Sequence, residues 1–125
     1  MVNEDLLRQL FVKKSFKNNE SGFQLQMKNT ISDATIIAPI KLEIKSESIE
    51  KEKFKDFTID LDGEKVNNKE ITEQNPVKFS VKTLATLYFE RVNPLPKEKY
   101  KIRFTKLLTE EYGDLPFSMK ERIRE

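Results

Sequence analysis

The feature that most constrains this chain is an alternation of apolar and polar residues. Apolar side chains occupy every second position in five segments, at residues 23–27, 40–44, 57–61, 77–81 and 100–104. Because successive side chains of a strand point to opposite faces, the pattern predicts strands that are buried on one side. Turn-forming residues recur at spacings of roughly 8–12 residues, so we expect an all-β fold, an antiparallel β-sandwich of about 7–9 short strands.

The length and the irregular segments bear on the domain organisation. A chain of 125 residues is long enough to bury a core without disulfides, and it contains no internal repeat or linker composition. We therefore expect a single β-sandwich domain over residues 1–125. Residues 29–39 and 67–76 show no clean period and are expected to cross between sheets, which favours a sandwich over a barrel. Asp62-Gly63 is the strongest hairpin signal.

The N-terminal segment predicts a short helix over residues 3–11, with Asn3 as its N-cap. A helix of this length is not stable alone, so its apolar face must dock on another surface. That surface is either the chain's own sheet, the more common arrangement, or a partner subunit. The candidate interface residues are the four apolar side chains that share this face, Leu6, Leu7, Leu10 and Phe11.

The composition excludes several kinds of catalysis. The chain contains no cysteine and no histidine, so it has neither a disulfide framework nor a Ser-His-Asp or Cys-His nucleophile. A zinc site of the usual type would lack its preferred ligands. The sequence identifies no catalytic residue, no cofactor and no metal ligand. Any enzyme built on this chain would use Asp, Glu, Lys, Tyr, Ser or Thr, or groups from another chain.

The charge balance gives no global attraction to nucleic acid or to membranes. There are 23 basic and 21 acidic residues, for a net charge of +2. Residues 1–11 lack the apolar region of a signal peptide, and no segment reaches the length of a membrane span. We therefore expect a cytoplasmic protein without a membrane partner. Enrichment in Lys and Glu is typical of thermophile proteins, although a lysine-rich surface is an ordinary alternative.

Two acidic turns are candidates for carboxylate chemistry. Asp60 and Asp62 share a strand face beside the predicted hairpin, and Glu111 lies in a second acidic loop. Two carboxylates perform glycosidic chemistry when one has a raised pKa and their separation is right. One alternative function is therefore a carboxylate enzyme acting on a carbohydrate-like substrate. The more common role of such residues is to solvate a turn.

Lysines and arginines alternate with apolar residues on several predicted strands. The pairs are Lys41 and Lys45, Lys78 and Lys82, and Lys101 and Arg103. On an outer sheet face they would form a nucleic-acid platform, but such a platform also needs exposed aromatic side chains between the charges. The aromatic residues here fall in phase with the inward face. We therefore regard nucleic acid as an unlikely partner and the lysines as protection against edge-to-edge pairing of sheets.

Four short segments together resemble the small β subunit of C-glycoside deglycosidases and its stand-alone microbial relatives. They are residues 15–18 (SFKN), 22–24 (GFQ), 61–66 (LDGEKV) and 100–104 (YKIRF). The resemblance implies a compact antiparallel sandwich that assembles with a larger catalytic subunit, which would hold the metal and the catalytic groups. It transfers no catalytic residue to this chain. The charged segment 45–56 and the N-terminal helix depart from the family's pattern.

The preferred function at this point is a non-catalytic β-sandwich accessory or assembly module. It is consistent with the missing histidine and cysteine, the balanced charge and the helix that must dock. A protein partner or self-association is expected. The carboxylate enzyme and the nucleic-acid-binding β domain follow as alternatives, in that order.

Overall fold

The computed structural model describes residues 3–124, so the first two residues and the last residue of the predicted domain lie outside the described residues. The expected all-β, antiparallel architecture with a short N-terminal helix is confirmed. The elements are α1 (Glu4–Arg8), β1 (Lys17–Asn18), β2 (Gly22–Lys28), β3 (Ala34–Ile36), β4 (Lys41–Lys45), β5 (Glu52–Phe54), β6 (Thr58–Leu61), β7 (Glu64–Asn67), the 3₁₀ helix η1 (Asn68–Glu70), β8 (Val77–Phe79), β9 (Leu84–Glu90), β10 (Lys99–Lys106), β11 (Leu108–Thr109), β12 (Gly113–Asp114) and β13 (Phe117–Arg122).

The strands form three antiparallel sheets. The five-stranded sheet has the order β1-β2-β9-β6-β7, the β10 sheet has the order β13-β10-β4-β5, and the β3 sheet has the order β12-β11-β3-β8. The irregular segments predicted as crossovers do connect different sheets. The first leads from β2 in the five-stranded sheet to β3, and the second leads from β7 to β8. Seven strands have four or more residues, and the total of thirteen in residues 3–124 includes six of two or three residues.

An aromatic cluster joins the five-stranded sheet to the β10 sheet. Phe23 of β2 stacks on Phe89 of β9 with ring centroids 4.6 Å apart. Phe54 of β5 meets both rings edge-on, at 5.2 Å and 5.4 Å. Offset and edge-on aromatic pairs add stability beyond the apolar area they bury. The three rings therefore supply the contact between the two sheets, and among them only Phe23 lies in a segment whose alternation predicted an inward side chain.

The predicted hairpin at Asp62-Gly63 is confirmed. Asp62 has φ = 52° and Gly63 has φ = 99°, and β6 pairs with β7 on either side of them. Two positive φ values in a two-residue loop are typical of the type I′ turn, whose twist matches that of the strands it joins.

The predicted N-terminal helix is shorter than expected, and the first strand is also short. The helix ends at Arg8 and is followed by a turn at Gln9-Leu10. The first strand after it covers only Lys17–Asn18, because Lys14 has φ = 68° and interrupts the extended backbone. Phe11 still forms an isolated bridge with Met27, so this segment runs beside β2 without continuous pairing.

One buried asparagine connects three parts of the backbone. The Asn68 side chain is fully buried, and its Oδ1 accepts a hydrogen bond from the Ile40 amide at 2.9 Å. Its Nδ2 donates to the carbonyl oxygens of Ile40 and Lys55, at 2.8 Å and 2.7 Å. Buried main-chain groups that lack a ladder partner need such bonds. Asn68 therefore holds the start of β4 and the segment after β5 against η1.

Candidate functional site

The helix face that the sequence proposed as an interface packs largely inside the chain. Leu7 and Leu10 are buried in the core, whereas Leu6 and Phe11 are half-buried. Arg8 Nε donates to the carbonyl oxygen of Ser118 at 2.7 Å, which ties α1 to β13. A partner would reach Leu6 and Phe11 without opening the core, so the interface remains a prediction at these two residues.

Each of the three candidate carboxylates accepts a hydrogen bond from a main-chain amide in or beside a turn. Asp60 Oδ1 accepts from the Gly63 amide at 2.6 Å, and Asp62 Oδ1 accepts from the Leu84 amide at 3.3 Å. Glu111 lies in the turn between β11 and β12, where it accepts from the Thr35 amide of β3 at 2.7 Å and from Thr35 Oγ1 at 2.8 Å. These bonds support the turn-solvating role.

The pKa of Glu111 is shifted in the direction opposite to that needed by a general acid. The hydroxyl of Thr35, and then its amide, stabilise the charged carboxylate and lower the pKa of Glu111. A carboxyl group that protonates a leaving group needs a raised pKa. In the part of the chain that the structure describes, no three His, Cys, Asp or Glu side chains come together in a group able to hold a metal ion. Likewise, none of the helices among residues 3–124 is long and apolar enough to cross a membrane.

An apolar cavity of about 70 Å³ lies between the sheets. Its lining is almost entirely aliphatic and aromatic, with contributions from Leu7, Ile59 and Phe104. Engineered apolar cavities that bind benzene are about 150 Å³, so this space is too small for a drug-sized ligand. The Tyr112 hydroxyl hydrogen-bonds to Ser32 beside it. We interpret the cavity as imperfect packing where the three sheets meet.

The outward side of the β10 sheet carries a concentration of positive charge, here called the basic face. Its charged residues are Lys41, Glu43, Lys45, Lys53, Lys99, Lys101, Arg103, Lys120 and Arg122. In the register of the sheet, Lys101 lies directly opposite Lys45 on one side and opposite Lys120 on the other. Like charges that face each other across strands destabilise a sheet, so this row of three lysines lowers the stability of the fold.

The distribution of charge over the molecule is polarised. Eight of the 23 basic residues and one of the 21 acidic residues belong to the basic face, giving it a net charge of +7. The remaining residues therefore carry −5, and the overall +2 hides this asymmetry. A surface of one sign attracts oppositely charged molecules and raises their local concentration.

A concavity of about 440 Å³ lies at the β4–β5 side of the basic face, here called the lysine concavity. It is lined by Lys41, Leu42, Glu43, Lys51, Lys53, Phe54, Lys55 and Thr105. The Glu43 side chain is only 12% exposed, and its Oε2 is buried without a hydrogen bond among the described residues. The Lys51 ammonium forms an ion pair with Oε2 at 3.5 Å, a distance too long for a hydrogen bond.

The sequence identified part of this surface. The structure brings Lys41, Lys45, Lys101 and Arg103 onto one face, as the alternation suggested, whereas Lys78 lies in the β3 sheet. Lys82 lies in a turn with φ = 76°. The lysines of the polar segment 45–56 were missed because that segment gave no clear strand pattern. Alternation within each strand predicted which lysines point outward. It did not predict which lysines lie opposite each other on neighbouring strands.

The fold and its surfaces define an antiparallel β domain with a polarised charge distribution. The family model described as "Hydroxymethylglutaryl-CoA reductase, N-terminal domain" matches residues 6–124, nearly the full length of the chain. The chain therefore belongs to the family of hydroxymethylglutaryl-CoA reductase N-terminal domains. No curated protein matches the chain.

The resemblance to the small β subunit of C-glycoside deglycosidases is wrong, because the family match assigns the chain elsewhere. The segments that suggested it are local hairpin and strand patterns. Residues 61–66, for example, span a type I′ turn and its flanking strands, a unit that unrelated antiparallel proteins share.

Proposed function

We propose that this chain is a non-catalytic β domain that assembles with the catalytic region of a hydroxymethylglutaryl-CoA reductase, whichever polypeptide carries that region. The family supports the proposal, because it is described as the N-terminal domain of hydroxymethylglutaryl-CoA reductase. The preferred sequence-based function, an accessory or assembly module, is retained in this form. The proposed association with a C-glycoside deglycosidase is abandoned, because the family match overturns it.

The observation that carries the non-catalytic role is the use of the candidate carboxylates. Asp60, Asp62 and Glu111 each accept a hydrogen bond from a main-chain amide, from Gly63 in the hairpin turn, Leu84 in β9 and Thr35 in β3 respectively. Such bonds orient each carboxylate toward the backbone. A substrate that approached the bonded oxygens, Oδ1 of Asp60 and Asp62 and both oxygens of Glu111, would compete with these main-chain and Thr35 contacts.

The contact with the partner is proposed to include the exposed part of α1. Leu6 is half-buried and Phe11 lies beside β2, so together they present apolar surface at the edge of the fold. Residues Leu7 and Leu10 anchor this segment from below and keep it ordered. An apolar patch on an anchored element is suited to a protein interface because little order is lost on binding.

The test combines an activity measurement with an association measurement. The 14.7 kDa chain is assayed alone for turnover of hydroxymethylglutaryl-CoA with a reduced nicotinamide, and then mixed with the catalytic region from its own organism in analytical ultracentrifugation. We expect no turnover by the chain alone and a complex heavier than either component. Turnover by the isolated chain would refute the non-catalytic role, and separate sedimentation would refute the assembly.

A matched pair of variants tests the contact surface. Leu6→Lys places a charge on the proposed apolar patch, whereas Gln9→Lys places the same charge on an exposed position just after the helix. We expect Leu6→Lys to weaken the complex by about tenfold or more and Gln9→Lys to leave it nearly unchanged. Equal affinities for the two variants would show that the partner binds elsewhere.

A further inference from the structure

We propose that the lysine concavity binds the phosphate groups of a small phosphorylated ligand, with Glu43 accepting a hydrogen bond from a hydroxyl or amine of the same molecule. This inference does not depend on the proposed function, because it concerns the isolated chain and a different surface.

The concavity has an excess of positive charge. Four lysines line it. Lys41 belongs to β4, Lys51 to the β4–β5 connection, Lys53 to β5 and Lys55 to the segment after β5. Lys51 has its ion pair with Glu43, but no carboxylate among residues 3–124 lies within ion-pair distance of the other three ammonium groups. One carboxylate against four ammonium groups leaves a net charge of +3, which a diphosphate would neutralise.

Glu43 indicates that the ligand is more than a bare anion. Among residues 3–124 its Oε2 has the ion pair with Lys51 at 3.5 Å but no hydrogen-bond donor, and buried polar atoms are normally hydrogen-bonded. Inorganic phosphate or pyrophosphate would bring negative charge close to this carboxylate, and the repulsion would oppose a hydrogen bond to Oε2. A ligand that carries a hydroxyl or amine beside its phosphates would donate to Oε2 while the lysines hold the phosphates.

The size of the concavity favours a small molecule over a nucleic-acid backbone. Its volume of about 440 Å³ falls within the range of about 300–1,000 Å³ that is typical of ligand pockets. A duplex would instead lie across the flat part of the basic face and contact the row of Lys45, Lys101 and Lys120. That row, outside the concavity, raises the local concentration of anions and speeds their entry.

The binding test uses the whole chain with ADP, pyrophosphate and a short DNA duplex, followed by isothermal titration calorimetry at low salt. ADP serves as a diphosphate with ribose hydroxyl and amine donors, and pyrophosphate serves as a diphosphate of similar charge that lacks the ribose and the base. We expect ADP to bind more tightly than pyrophosphate, and its affinity to fall as salt rises. Absence of ADP binding at millimolar concentration would overturn the proposal.

Two double variants separate the concavity from the rest of the basic face. Lys53→Gln with Lys55→Gln removes two charges from the concavity, and Lys45→Gln with Lys101→Gln removes two from the row outside it. All four side chains are exposed, so the fold is retained in both. We expect the first pair to weaken ADP binding by about 30-fold and the control pair by less than about threefold. Equal losses, or duplex binding that requires the row while ADP does not bind, would show a nonspecific polyanion surface.

The variant Glu43→Gln tests the second half of the proposal. Removal of the negative charge lowers the repulsion felt by a bare anion, so the affinity for pyrophosphate rises. The affinity for ADP rises less, because the ligand's donor loses its charged acceptor. The ratio of ADP affinity to pyrophosphate affinity therefore falls by about threefold or more. An unchanged ratio would show that Glu43 does not contact the ligand.

Discussion

Replacement of Asn68 by alanine is the most informative test of how this fold is held together. Three hydrogen bonds are lost at once, and they leave the Ile40 amide and the carbonyl oxygens of Ile40 and Lys55 without partners. An unsatisfied buried polar group costs about 1–3 kcal/mol. The Ile40 groups are in a buried environment, whereas the Lys55 bond is half-buried and water will replace part of it. We therefore expect Asn68→Ala to lower the free energy of unfolding by about 4 kcal/mol.

The preceding residue provides a matched control. Asn67 is exposed, and its side chain accepts one hydrogen bond from the Lys69 amide as the N-cap of η1. Its replacement by alanine should cost about 1 kcal/mol. Urea unfolding of the three proteins measures both effects, and an unchanged slope would confirm that the unfolded states are comparable. If Asn68→Ala costs less than about 1 kcal/mol, or no more than Asn67→Ala, the connecting role of Asn68 is refuted.

Two further predictions concern a glycine and a titrating turn. A Cβ at Gly22 would lie 2.0 Å from the Phe89 carbonyl oxygen, so Gly22→Ala should unfold the chain or lower its free energy of unfolding by more than about 3 kcal/mol. Gly63 has open space around it but φ = 99°, so Gly63→Ala should lower the free energy of unfolding by only about 1–2 kcal/mol. Thermal unfolding measures both losses. Comparable losses would contradict the close β2–β9 approach. The lowered pKa of Glu111 means that its contribution to stability is present above the ordinary glutamate range and is lost as pH falls through the folded-state pKa. Calorimetry from pH 7 to about pH 3 should therefore show a smaller loss of Tm for Glu111→Gln than for the original chain, and parallel curves would exclude the Thr35 contacts as the cause.

Local sequence pattern predicted only part of the basic face, and tertiary structure decided the rest. Alternation in β4 and β10 places Lys45 and Lys101 on outward faces, and this part was predictable. Their position opposite each other depends on the register between strands that are far apart in sequence. The lysine concavity depends further on β5, whose three residues lie in a charged segment without a clear period. The contact of the Phe54 ring with Phe23 and Phe89 of the five-stranded sheet stabilises β5 in its extended conformation.

The sequence by itself determined the strand-based architecture, the inward phase of the aromatic residues and the hairpin at Asp62-Gly63. These follow from side-chain alternation and from backbone conformations that single residues prefer, which are local properties. Tertiary structure alone decided the three-sheet arrangement, the row of like charges and the hydrogen bonds from the acidic side chains of Asp62 and Glu111 to amides of distant strands. Each of these depends on contacts between distant segments, and their free energies outweigh local preference once the core has formed.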